Sequence, residues 1–412
     1  MTDDNSAARD AVVQFYSEHP VNRLGVAVSG GSDSLALLVL LKEWGGADLH
    51  AITVNHGLRP DAASEVLHVA KVCRDLGVLH YVREWQGWDG KGNLQAEARR
   101  SRYSLIGHWA RYTGIDAVAV GHTRDDQAET VLMRLARGAG VEGLASMRAV
   151  VKREGFALHR PLLPISRVGL RDILTKKGIK WVDDPSNKDE NYERVRVRQA
   201  LEVLAPLGVD ASALARVAHN LEDARFAIAW SLAKWAEEGV RVDAGDVIFD
   251  RTRLLGLPAE MRRQAVSLAL RWISGADYAP RSDALTGLFD AIRNGENATL
   301  HGCFVMNSTM TVRATREAAA VAGVKSPAAS IWDGRWRLDG PHDDKMEIRA
   351  LGQAISRFSD WRETGLPRAT LLASPSVWQD DTLIAAPVAG LSGGWTAKAG
   401  SKSDFVAFLI SH

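Results

Sequence analysis

The sequence predicts an α/β protein: a doubly wound, mostly parallel sheet, then a helical segment, then a small β-rich module. Three observations predict it. Short apolar runs that read as buried strands alternate with amphipathic helical runs from about residue 24 to residue 137, the pattern of parallel strands with crossover helices. The polar clusters of that half, Ser29 to Ser34, Asn55 to Arg59 and His122 to Glu129, each follow a strand, where open α/β sheets bind ligands. From about Ala211 apolar residues recur at spacings of three and four, and after residue 326 short β-type runs lie between Gly and Pro turns. The expected organisation is 1–210, 211–325 and 326–412, and 412 residues suit two or three domains.

In order, Leu24 to Val28 is an apolar strand, Ser29-Gly30-Gly31-Ser32-Asp33-Ser34 a small-residue turn, and Leu35 to Leu41 the apolar start of a helix. Such a unit is an anion site: glycines admit close backbone approach, and helix N-terminal amides point outward with the dipole behind them. The three serines add hydroxyls, and Asp33 adds a carboxylate suited to a metal ion or to capping. No Lys follows Gly31 in the manner of G-x-x-x-x-G-K-[ST], and no G-x-G-x-x-G follows the strand, so the common ATPase loop and the dinucleotide fingerprint are both excluded.

Leu49 to Val54, Val78 to Val82 and Ala117 to Val120 are further strands, and Asp61 to Leu76, Asn93 to Tyr112 and Asp125 to Arg137 are helices, the last closed by Gly138. On that last helix Asp125 and Asp126 share a face with Glu129. With His122 they suit Mg²⁺ or a substrate ammonium, or merely favour the helix dipole. Arg99, Arg100 and Arg102 fall within four positions and cannot all lie on one face, so phosphate contact, base stacking and simple solvation divide them. Arg160 to Pro164 reads as extended, Ser166 as the cap of a helix through Lys177, and Asp183 to Asn187 as a loop. Arg194, Arg196 and Arg198 then share a face if the segment is a strand and spread if it is a helix; phosphate contact and solvation are both open.

An apolar fraction of 46% and a charged fraction of 25% describe an ordinary soluble protein, and a net charge of +1 means that any basic surface is made by placement. Cys73 and Cys303 lie far apart without ligand spacing, which argues against structural zinc, an iron–sulfur cluster or a disulfide framework and for two buried small side chains. The polar N-terminus is unlike a targeting peptide, and Leu35 to Leu41 is too short to span a bilayer. The expectation is a cytoplasmic protein with no membrane partner.

S-G-G-S-D-S, V-N-H-G-L-R-P, N-L-Q-A-E-A-R-R-S-R-Y, G-H-T-R-D-D-Q-A-E-T, R-P-L-L and D-D-P-S-N occur in this order over roughly residues 20–200. The first resembles the PP-loop of the ATP pyrophosphatases, and the set together resembles the tRNA(Ile)-lysidine synthetases. That resemblance implies ATP and Mg²⁺, free lysine, and an isoleucine tRNA with a CAU anticodon. The wobble cytidine would be adenylated at its 2-position carbonyl oxygen, and the lysine ε-amine would displace AMP, switching codon reading from AUG to AUA. It implies that Ser29, Gly30, Gly31, Ser32, Asp33 and Ser34 hold ATP, with Asp33 and Asp125 toward metal. It implies catalytic roles for Asp33, Asp125, Asp126, Glu129 and Arg194, and substrate contacts for Arg59, Arg100, His122 and Arg198. One departure stands out: Val195 occupies the place where the family usually has Asn after Arg. A homodimer is compatible with all of this.

The rival readings are a tRNA thiolase, which needs paired cysteines or a cluster, an amidotransferase-coupled synthetase, which needs an ammonia source, and a non-catalytic tRNA-binding protein, against which the intact acidic residues argue. In the second half, Ala213 to Glu237, Met261 to Ile273 and Asp283 to Ile292 read as helices, with Arg262, Arg263, Arg271 and Arg281 as candidate phosphate contacts or solvated charges. Thr299 to Val305 and Thr309 to Ala314 read as a hairpin, and IWDGRWRL, MEIRAL, TLIAAPV and DFVAFLI as strands. Trp332, Trp336, Trp361, Trp378 and Trp395 are expected in the core.

Overall fold

The computed structural model describes residues 4–57, 62–85, 88, 94–153, 155–183 and 189–411. The chain forms two compact units, Met1–Arg225 and Phe226–His412. The first contains α1 (Asp4–Glu18), β1 (Arg23–Ala27), α2 (Ser32–Trp44), β2 (Asp48–Asn55), α3 (Ala62–Asp75), β3 (Leu79–Glu84), α4 (Leu94–Thr113) and β4 (Ala117–Ala119). It continues through α5 (Arg124–Leu135), α6 (Val141–Leu144), β5 (Val150–Arg153), β6 (Phe156–His159), α7 (Arg167–Lys176) and α8 (Glu193–Leu204). The unit division falls inside α9 (Ala211–Gly239).

The sheet of the first unit runs β3-β2-β1-β4-β6-β5, parallel throughout except for β5 at its edge. Leu24, Val26 and Val28 alternate onto one face, where they join Leu35 to Leu41 of α2 and Leu170, Ile173 and Leu174 of α7 in one core. On the other face Tyr103, Ile106 and Trp109 of α4 pack with Ile52, Val118 and Leu158. Strands proceed outward from β1 through β2 in one direction and from β4 through β6 in the other, so β1 and β4 flank the point where the winding reverses. The turns after these two neighbouring strands therefore open side by side, which is where such sheets bind ligands.

Two pieces of this unit escape the sequence reading. β5 and β6 are four-residue strands, VVKR and FALH, whose polar ends break the apolar run, yet β6 completes the parallel sheet beside β4. Residues 161–164 form turns rather than an extended run, with Ile165 N–H donating to the Leu162 carbonyl; Pro161 and Pro164 fit a turn as readily as a strand.

In the second unit β7 (Val240–Asp243), β8 (Asp246–Asp250), β9 (Ala298–Leu300), β10 (Cys303–Asn307) and β11 (Thr311–Arg316) form an antiparallel sheet in the order β7-β8-β11-β10-β9. It packs with α10 (Arg251–Leu255), α11 (Ala259–Ser274) and α12 (Ser282–Asn294). The segment read as mainly helical thus also carries a sheet. Its first hairpin turns at Ala244-Gly245, both at positive φ, and Ala at the first of these positions gives no turn signal. The predicted hairpin has β10 and β11 as its arms, with β9 split off by a second positive-φ pair, His301-Gly302.

Farther on, Ser326–Pro327, Met346–Ala350, Pro375–Gln379 and Thr382–Ala385 form a four-stranded antiparallel sheet, and Arg337–Asp339 pairs with Thr396–Lys398. Trp332, Trp336, Trp378 and Trp395 are buried there and Trp361 is partly buried, as expected of core residues. DFVAFLI, read as a strand, lies in a helix, Lys402–Ser411. Ser401 N–H and Oγ donate to Asp404 Oδ2 at 2.6 and 2.7 Å, and Asp404 N–H donates back to Ser401 Oγ at 3.3 Å, which is a capping box. Cys73 and Cys303 are free and buried, their thiols pushed up to about 11 and about 12 by burial. Among the described residues no helix is long and apolar enough to cross a membrane.

Gly25 of β1 lies beneath the buried Trp109, where a β-carbon would come within 2.8 Å of the ring. Gly25→Ala is expected to lower the urea unfolding free energy by about 1–3 kcal/mol; an unchanged midpoint would show that the ring has room to move.

Candidate active site

The turn after β1 is braced from within. Ser34 Oγ accepts from Ser29 N–H at 3.1 Å and donates to the Gly31 carbonyl at 3.0 Å, while Val182 N–H donates to the Gly30 carbonyl at 3.0 Å. Gly30 sits at φ 86°, a left-handed conformation that glycine adopts without cost. Gly31 precedes the first turn of α2 and no side chain caps that helix, so its leading amides remain oriented for an external anion. The turn after β4 presses on this one. A β-carbon on Gly121 would lie 2.8 Å from the carbonyl carbon and oxygen of Asp33 and 2.9 Å from Ser34 N.

Beside the turn is a cluster of carboxylates held by one arginine. Arg167 Nε donates to Asp33 Oδ2 at 2.9 Å, its Nη2 donates to Asp126 Oδ1 at 3.1 Å, and its Nη1 lies 3.6 Å from Glu129 Oε1. Its backbone N–H donates to Asp125 Oδ2 at 2.8 Å. Glu129 is 1% exposed; its Oε1 also accepts from Arg198 Nε at 2.6 Å, while its Oε2 is buried without a partner among the described residues.

Asp126 is further fixed as the third residue of a capping box. Its Oδ2 accepts from Thr123 N–H and Oγ1, both at 2.9 Å, and its N–H donates to Thr123 Oγ1 at 3.3 Å. Burial pushes the Asp33 carboxyl upward, only partly offset by Arg167 and Ser32. At Asp126 burial acts the same way, but Arg167 and the Thr123 hydrogen bonds outweigh it and hold the carboxyl below its usual range.

His122 is neutral. Its Nδ1 accepts from Arg160 Nε at 3.0 Å, which leaves the proton on Nε2. Desolvation, the adjacent Arg160 and the charges of Arg99 and Arg194 push the ring down to about 3. Arg160 is itself buried and donates to the Arg148 carbonyl at 2.6 Å.

The expected site residues separate clearly. Ser29 to Ser34, Asp125, Asp126, Glu129 and Arg198 are joined through the phosphate turn and the Arg167 network, with His122 alongside. The Arg194 segment is a helix, α8, so Arg194 and Arg198, four apart, share a side and Arg196 turns away from them. Arg196 donates to the Glu190 and Asn191 carbonyls, and exposed Arg194 makes no hydrogen bond or ion pair among the described residues. Arg100 pairs with Glu97 on its own helix at 2.7 Å and is largely exposed; it is Arg99 whose charge bears on His122. Arg59 and the loop residues 184–188 lie outside the described residues. Sequence reasoning missed Arg167 and Arg160. The first opens an amphipathic helix that was read for its apolar face, and the second directly follows β6, although R-P-L-L had marked the neighbourhood of Arg160.

The model of the PP-loop domain family matches residues 5–204. The tRNA(Ile)-lysidine synthase of Ruegeria pomeroyi is 46% identical over 402 residues, spanning 96% of this chain and 96% of that protein. The tRNA(Ile)-lysidine synthase of Zymomonas mobilis is 37% identical over 295 residues, 71% of this chain and 88% of that protein. The chain belongs to the tRNA(Ile)-lysidine synthase family.

Val195, where the sequence departs from the expected Asn, is buried in the first turn of α8 at 7% exposure, which suits its apolar side chain. Arg194 and Arg198 keep their positions on either side of it.

Two outcomes follow for this lysidine synthase. Gly121→Ala must shift backbone in the phosphate turn, and is expected to weaken ATP binding on the order of a hundredfold while leaving the circular dichroism spectrum intact. Calorimetric titration with ATP checks it. Nitrogen NMR of the His122 ring is expected to show the neutral Nε2–H form from about pH 5 to about pH 8. The folded ring titrates below its unfolded value. Between those two values the unfolded chain binds a proton that the folded site refuses, so this group's contribution to stability is lost as the pH falls.

Proposed function

We propose that this enzyme joins free lysine to the 2-position of the wobble cytidine in an isoleucine tRNA with a CAU anticodon, consuming ATP and releasing AMP and diphosphate. The observation that carries this reading is the uncapped glycine turn at the N-terminus of α2 lying against a buried acidic cluster, in a chain of the lysidine synthase family. The turn's amides and hydroxyls grip the outer phosphates, so that the cytidine 2-carbonyl oxygen attacks the innermost phosphorus and diphosphate departs. The lysine ε-amine then attacks C2, and the C–O bond to AMP breaks.

Mg²⁺ fits the donor set. Asp33 is a carboxylate at the phosphate turn with the Ser32 hydroxyl 3.0 Å from its Oδ1, and Asp125 stands nearby, tied to Arg167 N–H through Oδ2. Among the described residues no group of three or more His, Cys, Asp or Glu is arranged to hold a metal by itself. One or two carboxylates plus phosphate oxygens and water is the usual magnesium environment. Bound there, the ion would neutralise charge on the triphosphate. Glu129 suits an ammonium of lysine, because it is buried and its Oε2 accepts from no described partner, and the buried Asp126 carboxylate stands in the same Arg167 network. Arg194 supports the role of phosphate ligand: its charge is felt at His122 and it is committed to no described partner. A homodimer is compatible with this chemistry and is not required by it.

Labelled lysine should enter an unmodified CAU-anticodon isoleucine tRNA only when ATP is supplied, with one AMP released per lysine; ADP and orthophosphate instead would refute the reading. Arg194→Ala is expected to slow lysine incorporation by about a hundredfold while changing ATP affinity by less than about threefold. Equal losses in single-turnover rate and in ATP affinity would make it a structural residue.

A further inference from the structure

The Arg167 guanidinium reaches three carboxylates delivered by two helices, Asp33 from α2 and Asp126 and Glu129 from α5. Planar and always charged, it is the side chain best able to satisfy such a set at once. A second guanidinium, from Arg198, meets only Glu129. The cluster remains under-satisfied, because Glu129 Oε2 is buried in it with no described partner. Both oxygens of Asp33 are engaged, Oδ1 by the Ser32 hydroxyl and Oδ2 by Arg167. The hydroxyl can turn away from an arriving cation. The guanidinium cannot stay beside it, since like charges a few ångströms apart in a partly buried site repel strongly.

We propose that Arg167 is a placeholder cation, holding the Asp33, Asp126 and Glu129 carboxylates together in the ligand-free enzyme and giving up Asp33 to a divalent cation when substrate binds. The proposal rests on the ATP-dependent reading above and deepens it. Arg167 is the first residue of α7, its backbone held by the hydrogen bond to Asp125 and its guanidinium by the carboxylates it pairs with. Its side chain can therefore swing without unwinding the helix. Arg171, one turn further along α7, already lies 3.4 Å from the Ser32 hydroxyl through its Nε. A released Arg167 would share that helical face with Arg171, on the side of a triphosphate bound at the serine turn. In that exchange one side chain changes from carboxylate partner to phosphate partner, so binding of the metal and binding of the nucleotide are coupled.

The test is a Mn²⁺ titration followed by electron paramagnetic resonance, in the absence of nucleotide and tRNA. Arg167→Met should bind Mn²⁺ at least about tenfold more tightly than the wild type, and adding Asp33→Asn to that variant should abolish the gain. Arg167→Lys keeps a charge but cannot fork between Asp33 and Asp126, and should show a smaller gain of about threefold. Should Arg167→Met fail to fold without metal, Arg167→Lys decides alone. Affinities equal to wild type in the folded variants overturn the proposal, as does a gain that survives Asp33→Asn. Failure of the wild-type enzyme to incorporate lysine would instead overturn the functional reading, and the nucleotide-free titration is read independently of it.

Discussion

One partly buried guanidinium organises the first unit. Asp33, Asp126 and Glu129 come from two separate helices, and three carboxylates largely withdrawn from water repel one another unless a cation is shared among them. Arg167 is that cation. Removing one partner from such a set typically costs on the order of 3–5 kcal/mol, because the remaining charges stay buried without compensation. The fold spends several local devices on keeping the geometry. Ser166 Oγ caps α7 by accepting from Gly169 N–H, Thr123 and Asp126 close a capping box on α5, and Gly121 lets the β4 turn touch the backbone of α2.

The same contacts show why the cluster stands at the end of the sheet. Asp33, Asp126 and Arg167 are all first-turn residues, of α2, α5 and α7 respectively. Three helix N-termini therefore meet beside the carboxyl ends of β1 and β4. Their dipoles favour the carboxylates that are present and make the place hospitable to anions. A parallel sheet with its winding reversed between β1 and β4 brings these termini together, since every crossover helix starts at the same edge.

The basic residues divide their labour by burial. Arg160 is buried and fixes the tautomer of His122, Arg198 is tied to Glu129, and Arg100 is a surface charge paired within its own helix. Arg194 and Arg99 keep their charges near His122, and the ring answers by remaining neutral, a donor through Nε2. Such a site carries arginines at its rim and carboxylates within, with a neutral imidazole between them.

Local pattern was enough to reveal the glycine turn before α2, most of the parallel strands and the acidic start of α5, because strand period, glycine turns and helix-start chemistry are written within a few residues. The helix at Lys402–Ser411 was equally legible through Ser401 and Asp404, yet its unbroken apolar run reads like a strand when the capping box is overlooked. β5 and β6 were not legible because VVKR and FALH end on polar side chains that break the apolar run, whereas the equally short Ala117 to Val120 is wholly apolar. Arg167 was invisible for a different reason: 134 residues separate it from Asp33 and 41 from Asp126. The sequence by itself determined which chemical groups this protein possesses and on which kind of local element each one sits. Only the tertiary structure decided which of them meet, because charge pairing acts over a few ångströms of space and takes no account of distance along the chain.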